Sequence, residues 1–333
     1  MSKFSPSNAE PVFVVGFYRS GTSLLHALLN RHPDLALMYE CDVLKLWPFV
    51  RERTVHHDWL RRIEFWNGAI SRHQLDPKAI ASRPRGRTEA ADALYQAYAA
   101  KKGARLFGEK SPYYHDHLPA LFKDYPRARI IVLWRSPLDT LRSVRRAGET
   151  ERFFARQDFV QRVITGMKIM AGDCARLRKQ GVALHELQYG TLVRDQHAAL
   201  AGICKFLGLS FDERMTQLVD ADISVLPSGE HHDNVRRGQI IAGQSRTEVL
   251  GEAEIALVKQ TCENLPGAPW SSSVDSSANS LSFALNADEL EFQRRRGARD
   301  AAVRAIYSCG PLWVFKAWRS FRSRRFKTSR PIC

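Results

Sequence analysis

Residues 12–30 read VFVVGFYRSGTSLLHALLN, and the fold turns on how this stretch divides. Val12 to Gly16 is a short, valine-rich apolar run, the composition of a strand buried on both faces. Thr22 to Asn30 carries apolar residues at helical spacing, and His32-Pro33 stops it, because proline cannot continue a helix. Between them lies Gly16-Phe17-Tyr18-Arg19-Ser20-Gly21-Thr22-Ser23, a G-x-x-x-x-G-x-S pattern. Strand, glycine loop and helix in immediate succession form a phosphate cradle. The loop's N–H groups turn inward and the helix presents its positive end. A plain glycine turn is the competing reading of the spacing alone, and the flanking strand and helix weigh against it.

The loop departs from the ATP-binding pattern at one place: Thr22 stands where that pattern has lysine. A Mg²⁺-dependent nucleotidase also needs an aspartate at the end of a neighbouring strand. The best such strand, Arg129 to Trp134 (RIIVLW), ends in Arg135. The expected site therefore holds no metal, and side-chain cations take the place of Mg²⁺. A donor without a labile triphosphate suits it.

Outward from the loop, strands and helices alternate. Val43 to Lys102 reads as mostly helical, broken near Pro77 and at Pro84-Arg85-Gly86, with Trp47, Trp59 and Trp66 as core or pocket wall. Arg105 to Gly108 is a short strand running into Glu109-Lys110-Ser111-Pro112. Pro137 opens a helix as its first-turn residue. Glu151 to Lys179 is expected as one long amphipathic helix. Ala183 to Leu187 is a further strand; Gln196 to Leu207, Glu252 to Cys262 and Asp288 to Arg304 are helices. The alternation predicts an α/β fold of the P-loop type, three layers with a central parallel sheet flanked by helices. The polar run SSSVDSSANSLS (271–282) is a linker. It divides the chain into a catalytic domain over 1–267, a linker over 268–284 and a basic, aromatic helical tail over 285–333.

With 44% hydrophobic and 26% charged residues, the 333-residue chain has globular composition. Its net charge of +15 favours anionic partners over a neutral surface. Six scattered cysteines without a C-x-x-C pair give neither zinc spacing nor a disulfide framework, which reads as free thiols in a reducing compartment. The start of the chain lacks a signal-peptide pattern, and no apolar run reaches the roughly 20 residues of a membrane span. The expected location is cytoplasmic, with peripheral contact at the inner membrane surface open.

Two segments carry a resemblance. The loop Arg19-Ser20-Gly21-Thr22-Ser23 resembles the 5′-phosphosulfate loop of sulfotransferases that use 3′-phosphoadenosine 5′-phosphosulfate (PAPS). Arg129 to Val144 (RIIVLWRSPLDTLRSV) resembles that family's 3′-phosphate strand, loop and helix. The two arginines stand 116 residues apart, a separation common in the family. The resemblance implies that Arg19, Ser20, Gly21, Thr22 and Ser23 hold the phosphosulfate and that Arg135 and Ser143 hold the 3′-phosphate. Gln188-Tyr189-Gly190-Thr191-Leu192, ahead of Phe206-Leu207-Gly208-Leu209, is similar to the family's tyrosine segment. Tyr189 would then meet the adenine, although core packing is an equal reading. Arg236-Arg237-Gly238, or Arg246 after Gln244-Ser245, would close over the 3′-phosphate.

Sulfo transfer needs a cation where the leaving oxygen gains charge and a base that takes the acceptor's proton. Arg19 is the candidate cation, acting electrostatically because a guanidinium does not release its proton. Glu40 is the candidate base, matching the catalytic glutamate of tyrosylprotein sulfotransferases and bacterial relatives; local capping or pairing is its other reading. Lys110 matches the lysine that contacts sulfate or acceptor in relatives. Pro112 stands where small-molecule sulfotransferases place a catalytic histidine, which turns the reading toward Glu40 and leaves His115 in reserve. The acceptor is then a hydroxyl on a peptide, with tyrosine implied by the same resemblance, or on a glycan or glycolipid. His231-His232-Asp233 reads as a solvated loop and not a metal cluster. A P-loop kinase and a non-catalytic nucleotide-binding protein are the more distant readings. No nucleic-acid motif is present. The tail's arginines and aromatics suit an anionic membrane surface, packing back on the domain, or a homodimer arm.

Overall fold

The short valine, isoleucine and leucine runs become strands because each is covered on both faces. In chain order the elements are β1 (Val12–Val15), α1 (Thr22–Leu29), β2 (Leu35–Tyr39), α2 (Val43–Val50), α3 (Trp59–Asn67), α4 (Ala69–Arg72), α5 (Arg87–Lys102), β3 (Leu106–Lys110), α6 (Leu118–Asp124), β4 (Arg129–Trp134), α7 (Pro137–Thr150), α8 (Phe159–Lys179), β5 (Leu184–Gln188), α9 (Tyr189–Arg194), α10 (Gln196–Leu207), α11 (Asp233–Arg236), α12 (Glu252–Cys262) and α13 (Ala287–Cys309). This computed structural model describes residues 7–50, 59–80, 83–151, 153–156, 158–218, 224–226, 233–238, 250–262, 265 and 285–309. The linker at 268–284, the His231-His232 pair and Gln244-Ser245-Arg246 lie outside the described residues.

The strands form one parallel sheet in the order β2-β3-β1-β4-β5. Side chains alternate across it. Phe13, Val15, Met38, Ile130, Val132 and Trp134 face a layer built from α5 and α8. Val12, Val14, Leu37, Ile131 and Leu133 face a layer built from α1 and α10. This is the expected three-layer α/β fold. Where β3 pairs with β1, a Cβ on Gly108 would lie 1.9 Å from the Val12 carbonyl oxygen, so only glycine permits that approach. The chain leaves β1 toward β2 on one side and leaves β4 toward β5 on the other. The crevice between the β1 and β4 loops is thus a topological switch point, where ligands of open α/β sheets bind.

Two stretches depart from expectation. Glu151 to Lys179 is not one helix: α7 ends at Thr150, and α8 starts only at Phe159. Between them the chain folds back, and a Cβ on Gly148 would lie 3.1 Å from the Ala155 backbone. Phe154 is buried beside Val144, Ala147 and Phe159 in a small apolar cluster, and Asp158 pairs with both Arg156 and Arg162. The turn buries apolar surface that a continuous helix would leave outside. The second departure is β2, a five-residue apolar run (LALMY) whose pairing with β3 makes it an edge strand.

Cys41, Cys174, Cys204 and Cys262 are free and buried. Trp59 lies in the core, with Trp47 and Trp66 packed against it. Among the described residues no helix is long and apolar enough to cross a membrane. Over Ala287–Cys309 the tail packs back on α2.

Candidate active site

The loop after β1 turns through Ser20, whose N–H donates to the Phe17 carbonyl (3.1 Å). Gly21 follows at φ +99°, and no side chain caps α1. The first-turn N–H groups of α1 are thereby left for an anion. A Cβ on Gly21 would lie 2.4 Å from the Tyr189 ring. That ring in turn stacks on Arg135, whose guanidinium carbon is 4.7 Å from its centroid. Tyr189, at the start of α9, thus packs the loop against the end of β4.

The switch point brings the predicted cations together. Arg135 donates from Nη1 to the Arg19 carbonyl (2.9 Å), and Arg19 donates from Nε to Ser143 Oγ (3.2 Å). Among the described residues neither guanidinium meets a carboxylate. Burial, then the neighbouring Arg135, pushes Arg19 down to about 10, and burial lowers Arg135 too. Half-buried like charges with no carboxylate in contact are costly. Arg135 Nε and Ser20 Oγ are also buried without a hydrogen-bond partner. These orphaned donors and unbalanced cations fit a polyanion seated across the β1 and β4 loops. The side chain of Arg19 faces Ser143, on the β4 side of this crevice.

The other half of the site lies at the ends of β2 and β3. Tyr39 and Lys110 are paired across the strands, and the Glu40 N–H donates to the Lys110 carbonyl (2.9 Å). Lys110 is fully buried. Its Nζ donates to Glu40 Oε1 (2.6 Å), lies 3.4 Å from Ser23 Oγ, and sits 3.4 Å above the Tyr39 ring. The Tyr39 hydroxyl meets Ser23 Oγ at 2.9 Å. Burial lowers the Lys110 pKa, and Glu40 opposes that shift. A lysine therefore bridges the phosphate loop and the candidate base.

Glu40 is aimed by a strained turn. Among the described residues four non-glycine residues have positive φ, and three are here: Arg19 (67°), Glu40 (47°) and Asp42 (56°). Such conformations cost about 1–3 kcal/mol each and persist only where the surroundings impose them. The surroundings are two buried acids that the motifs did not single out. Glu109 Oε1 accepts from the Asp42 N–H (2.5 Å), and Glu109 Oε2 accepts from Tyr95 (2.5 Å) and Tyr114 (3.1 Å). Asp42 Oδ1 accepts from Ser111 Oγ. Burial and mutual repulsion raise Glu109 to about 8; burial and nearby Glu40 raise Asp42 to about 7. A carboxyl directly before Lys110 at the end of a short strand was the available signal for Glu109. Nothing in the sequence pattern marked Asp42, Tyr39 or Ser111.

The reserve residue His115 is a core histidine. It is buried against Phe17 and Tyr18, with Nδ1 bonded to the Pro112 carbonyl (2.7 Å), and burial pushes it down to about 4. Arg236, Arg237 and Gly238 lie at and just after the end of α11, which packs on α1. Among the described residues no cluster of three or more His, Cys, Asp or Glu is arranged to hold a metal ion.

The fold agrees with what the chain is similar to. A solved sulfotransferase domain from the Synechococcus PCC 7002 olefin synthase superposes with a TM-score of 0.52 at 18% identity, covering 78% of this chain and 97% of that one. Nodulation protein NoeE of Sinorhizobium fredii is 32% identical over 136 residues, which span 38% of this chain and 28% of NoeE. A family model described as the sulfotransferase family matches residues 11–213, a segment that contains the loop, Glu40, Lys110, Arg135, Ser143 and Tyr189. The chain belongs to the sulfotransferase family.

Proposed function

We propose that the protein transfers a sulfo group from PAPS to an acceptor hydroxyl, with Glu40 as general base and Lys110 as the cation beside the transferring group. The observation that carries this reading is the Ser23–Lys110–Glu40 chain, which joins the phosphate loop to a carboxylate in two contacts. When bound, the donor supplies an activated sulfo group on a phosphate leaving group.

The loop N–H groups, Ser20 and the N-terminus of α1 hold the phosphosulfate end. Arg135 and Ser143 hold the 3′-phosphate, and Arg19 reaches that side through Ser143. This gives Arg19 a binding role in the arrangement seen. Stabilising the leaving oxygen would need it to turn away from Ser143. Tyr189 forms the wall at the adenine. Glu40 accepts the acceptor's proton, and its partial exposure, 23% of the side chain, lets the proton pass on to water. As charge builds on the leaving oxygen, Lys110 is the buried cation placed to neutralise it. The acceptor is a hydroxyl on a peptide, with tyrosine preferred, because a carboxylate base suits a phenol more readily than an aliphatic alcohol. A carbohydrate hydroxyl is the alternative.

Binding of adenosine 3′,5′-bisphosphate, ATP–Mg²⁺ and RNA, followed by thermal shift, tests the donor. Stabilisation chiefly by the bisphosphate is expected; a shift with ATP–Mg²⁺ alone would overturn the reading. Glu40→Gln should lower labelled-sulfate transfer to a panel of peptides and glycans by about 10²–10⁴-fold and leave bisphosphate binding intact. Equal loss of both would make Glu40 structural.

A further inference from the structure

The helix α13 lies outside the segment that the family model matches, yet it is fastened to the site. At its start, the Asn286 side chain accepts from the Glu289 N–H (2.8 Å), and the Glu289 carboxylate accepts from the Asn286 N–H (2.8 Å). This reciprocal cap fixes where the helix begins. The same Glu289 forms a buried pair with Lys168 of α8 (2.7 and 3.0 Å). Breaking such a pair leaves an uncompensated buried charge, so the helix is held against the domain. Phe292 adds a cation–π contact with Arg162 of α8.

Two turns beyond Glu289, Arg296 donates to Asp116 Oδ2 (3.1 Å). Asp116 also accepts from Lys45 of α2 (2.8 Å) and meets His117 (2.9 Å). Despite burial, which acts in the other direction, the charges of His115, His117 and Lys45 hold Asp116 well below the usual carboxylate range. Lys45 further donates to the Tyr113 carbonyl (2.7 Å). Three elements therefore meet at Asp116: α13, α2 directly after the Glu40–Asp42 turn, and the Pro112–Asp116 turn directly after Lys110.

This junction borders the side from which an acceptor must come. The donor occupies the β1–β4 side of the loop, so the acceptor approaches Glu40 and Lys110 from the β2–β3 side. The Tyr113 ring meets the ring of Tyr18 in the phosphate loop at 5.4 Å, and Tyr18 also meets Phe153 at 5.6 Å. Among the described residues, Tyr113 and Phe153 are two of the few large apolar side chains left exposed, at 37% and 38%. Lys45, which bonds the Tyr113 carbonyl, also lies 5.5 Å from the centroid of the Tyr113 ring, so Tyr113 sits at the same junction as Asp116.

Resting on the sulfotransferase reading, we infer that α13 is the outer wall of the acceptor cleft, closed by the Arg296–Asp116–Lys45 bridge over the Tyr18–Tyr113 aromatic surface. The exposed Tyr113 ring, packed on Tyr18 at this wall, favours acceptors whose hydroxyl is carried on an apolar or aromatic body. It also keeps water away from the donor.

The test uses the full chain with Arg296→Met, Asp116→Asn and the two combined, and Lys168→Met as a stronger release of the helix. Hydrogen exchange over 43–50 and 112–116 reports docking without donor or acceptor. Sulfate release from labelled PAPS without acceptor reports water entry, and 4-nitrophenol is the acceptor probe. Loss of one part-buried ion pair should raise exchange, acceptor-free hydrolysis and the KM for 4-nitrophenol about five-fold. The Arg296/Asp116 double variant should be no worse than Asp116→Asn alone, since Asp116 also holds Lys45 and His117, and adenosine 3′,5′-bisphosphate affinity should stay within about two-fold of the parent. Unchanged exchange and hydrolysis in Lys168→Met and Arg296→Met would overturn the wall, as would a parallel fall in bisphosphate affinity. If the parent binds no bisphosphate, the PAPS reading fails, while the exchange data still decide where α13 docks.

Discussion

Replacing Glu109 by glutamine should flatten the pH dependence of stability. In the folded protein Glu109 and Asp42 are raised to about 8 and about 7, whereas in the unfolded chain both lose their protons near pH 4. Between those limits the folded state binds more protons than the unfolded one. Stability contributed by the protonated pair is therefore greatest at low pH and is lost as pH rises from about 4 through 7 and 8. Each extra bound proton gives a slope of about 1.4 kcal/mol per pH unit. One proton held by Glu109 from its ordinary 4.5 up to about 8 sets an upper limit of about 5 kcal/mol. Glutamine is neutral and nearly isosteric. Its carbonyl can accept from the Asp42 N–H, and its amide can donate to Tyr95 and Tyr114 once their hydroxyls rotate. The variant should lie within about 1 kcal/mol of the parent at pH 5 and, at about 1.4 kcal/mol per pH unit, become the more stable protein above about pH 6. Urea denaturation of both proteins from pH 5 to 8.5 measures this, and the difference between them cancels the carboxylates they share. Parallel curves would refute the argument, because they would mean that the Glu109 carboxyl titrates alike in both states. Glu109→Ala, by contrast, leaves three donors without an acceptor and should cost several kcal/mol at every pH.

Arg135→Ala should weaken adenosine 3′,5′-bisphosphate binding by about 10–100-fold in calorimetry, and Arg135→Lys should not restore it. Lysine cannot stack flat on Tyr189 or present a planar fork. Gly21→Ala should lower the melting temperature and weaken the same ligand, since the position combines φ +99° with a Cβ placed 2.4 Å from the Tyr189 ring. Adding Tyr189→Ala should recover only the steric part of the loss in melting temperature, with the positive φ still costing about 1 kcal/mol or more, and should not recover ligand affinity.

The parts of the site that depend on local chemistry were legible early. The Gly16–Ser23 loop, the strand ending at Arg135 and the helix opened by Pro137 each follow from residue types at neighbouring positions, and each stands where it was expected. Glu40 and Lys110 were named one at a time. Their 2.6 Å contact depends on β2 and β3 being adjacent, and β2 was missing from the expected strands. The break at Glu151–Asp158 escaped for a similar reason. Its composition is helical, and only the packing of Phe154 beside Val144 and Phe159 makes the turn worth more than the helix.

The sequence by itself determined that the chain is an α/β protein with a phosphate loop lacking its lysine, because strand, turn and helix propensities act over a few residues. Only the tertiary structure decided how the site is charged and closed. Strand order set Arg19 beside Arg135 and Lys110 beside Glu40, and burial unbalanced the first pair while it bound the second. The buried acids Asp42 and Glu109 hold the strained turn that carries Glu40. A helix more than 170 residues away from Asp116 borders the cleft through Arg296. Charge, burial and long-range pairing belong to the folded arrangement and leave no periodic mark on the chain.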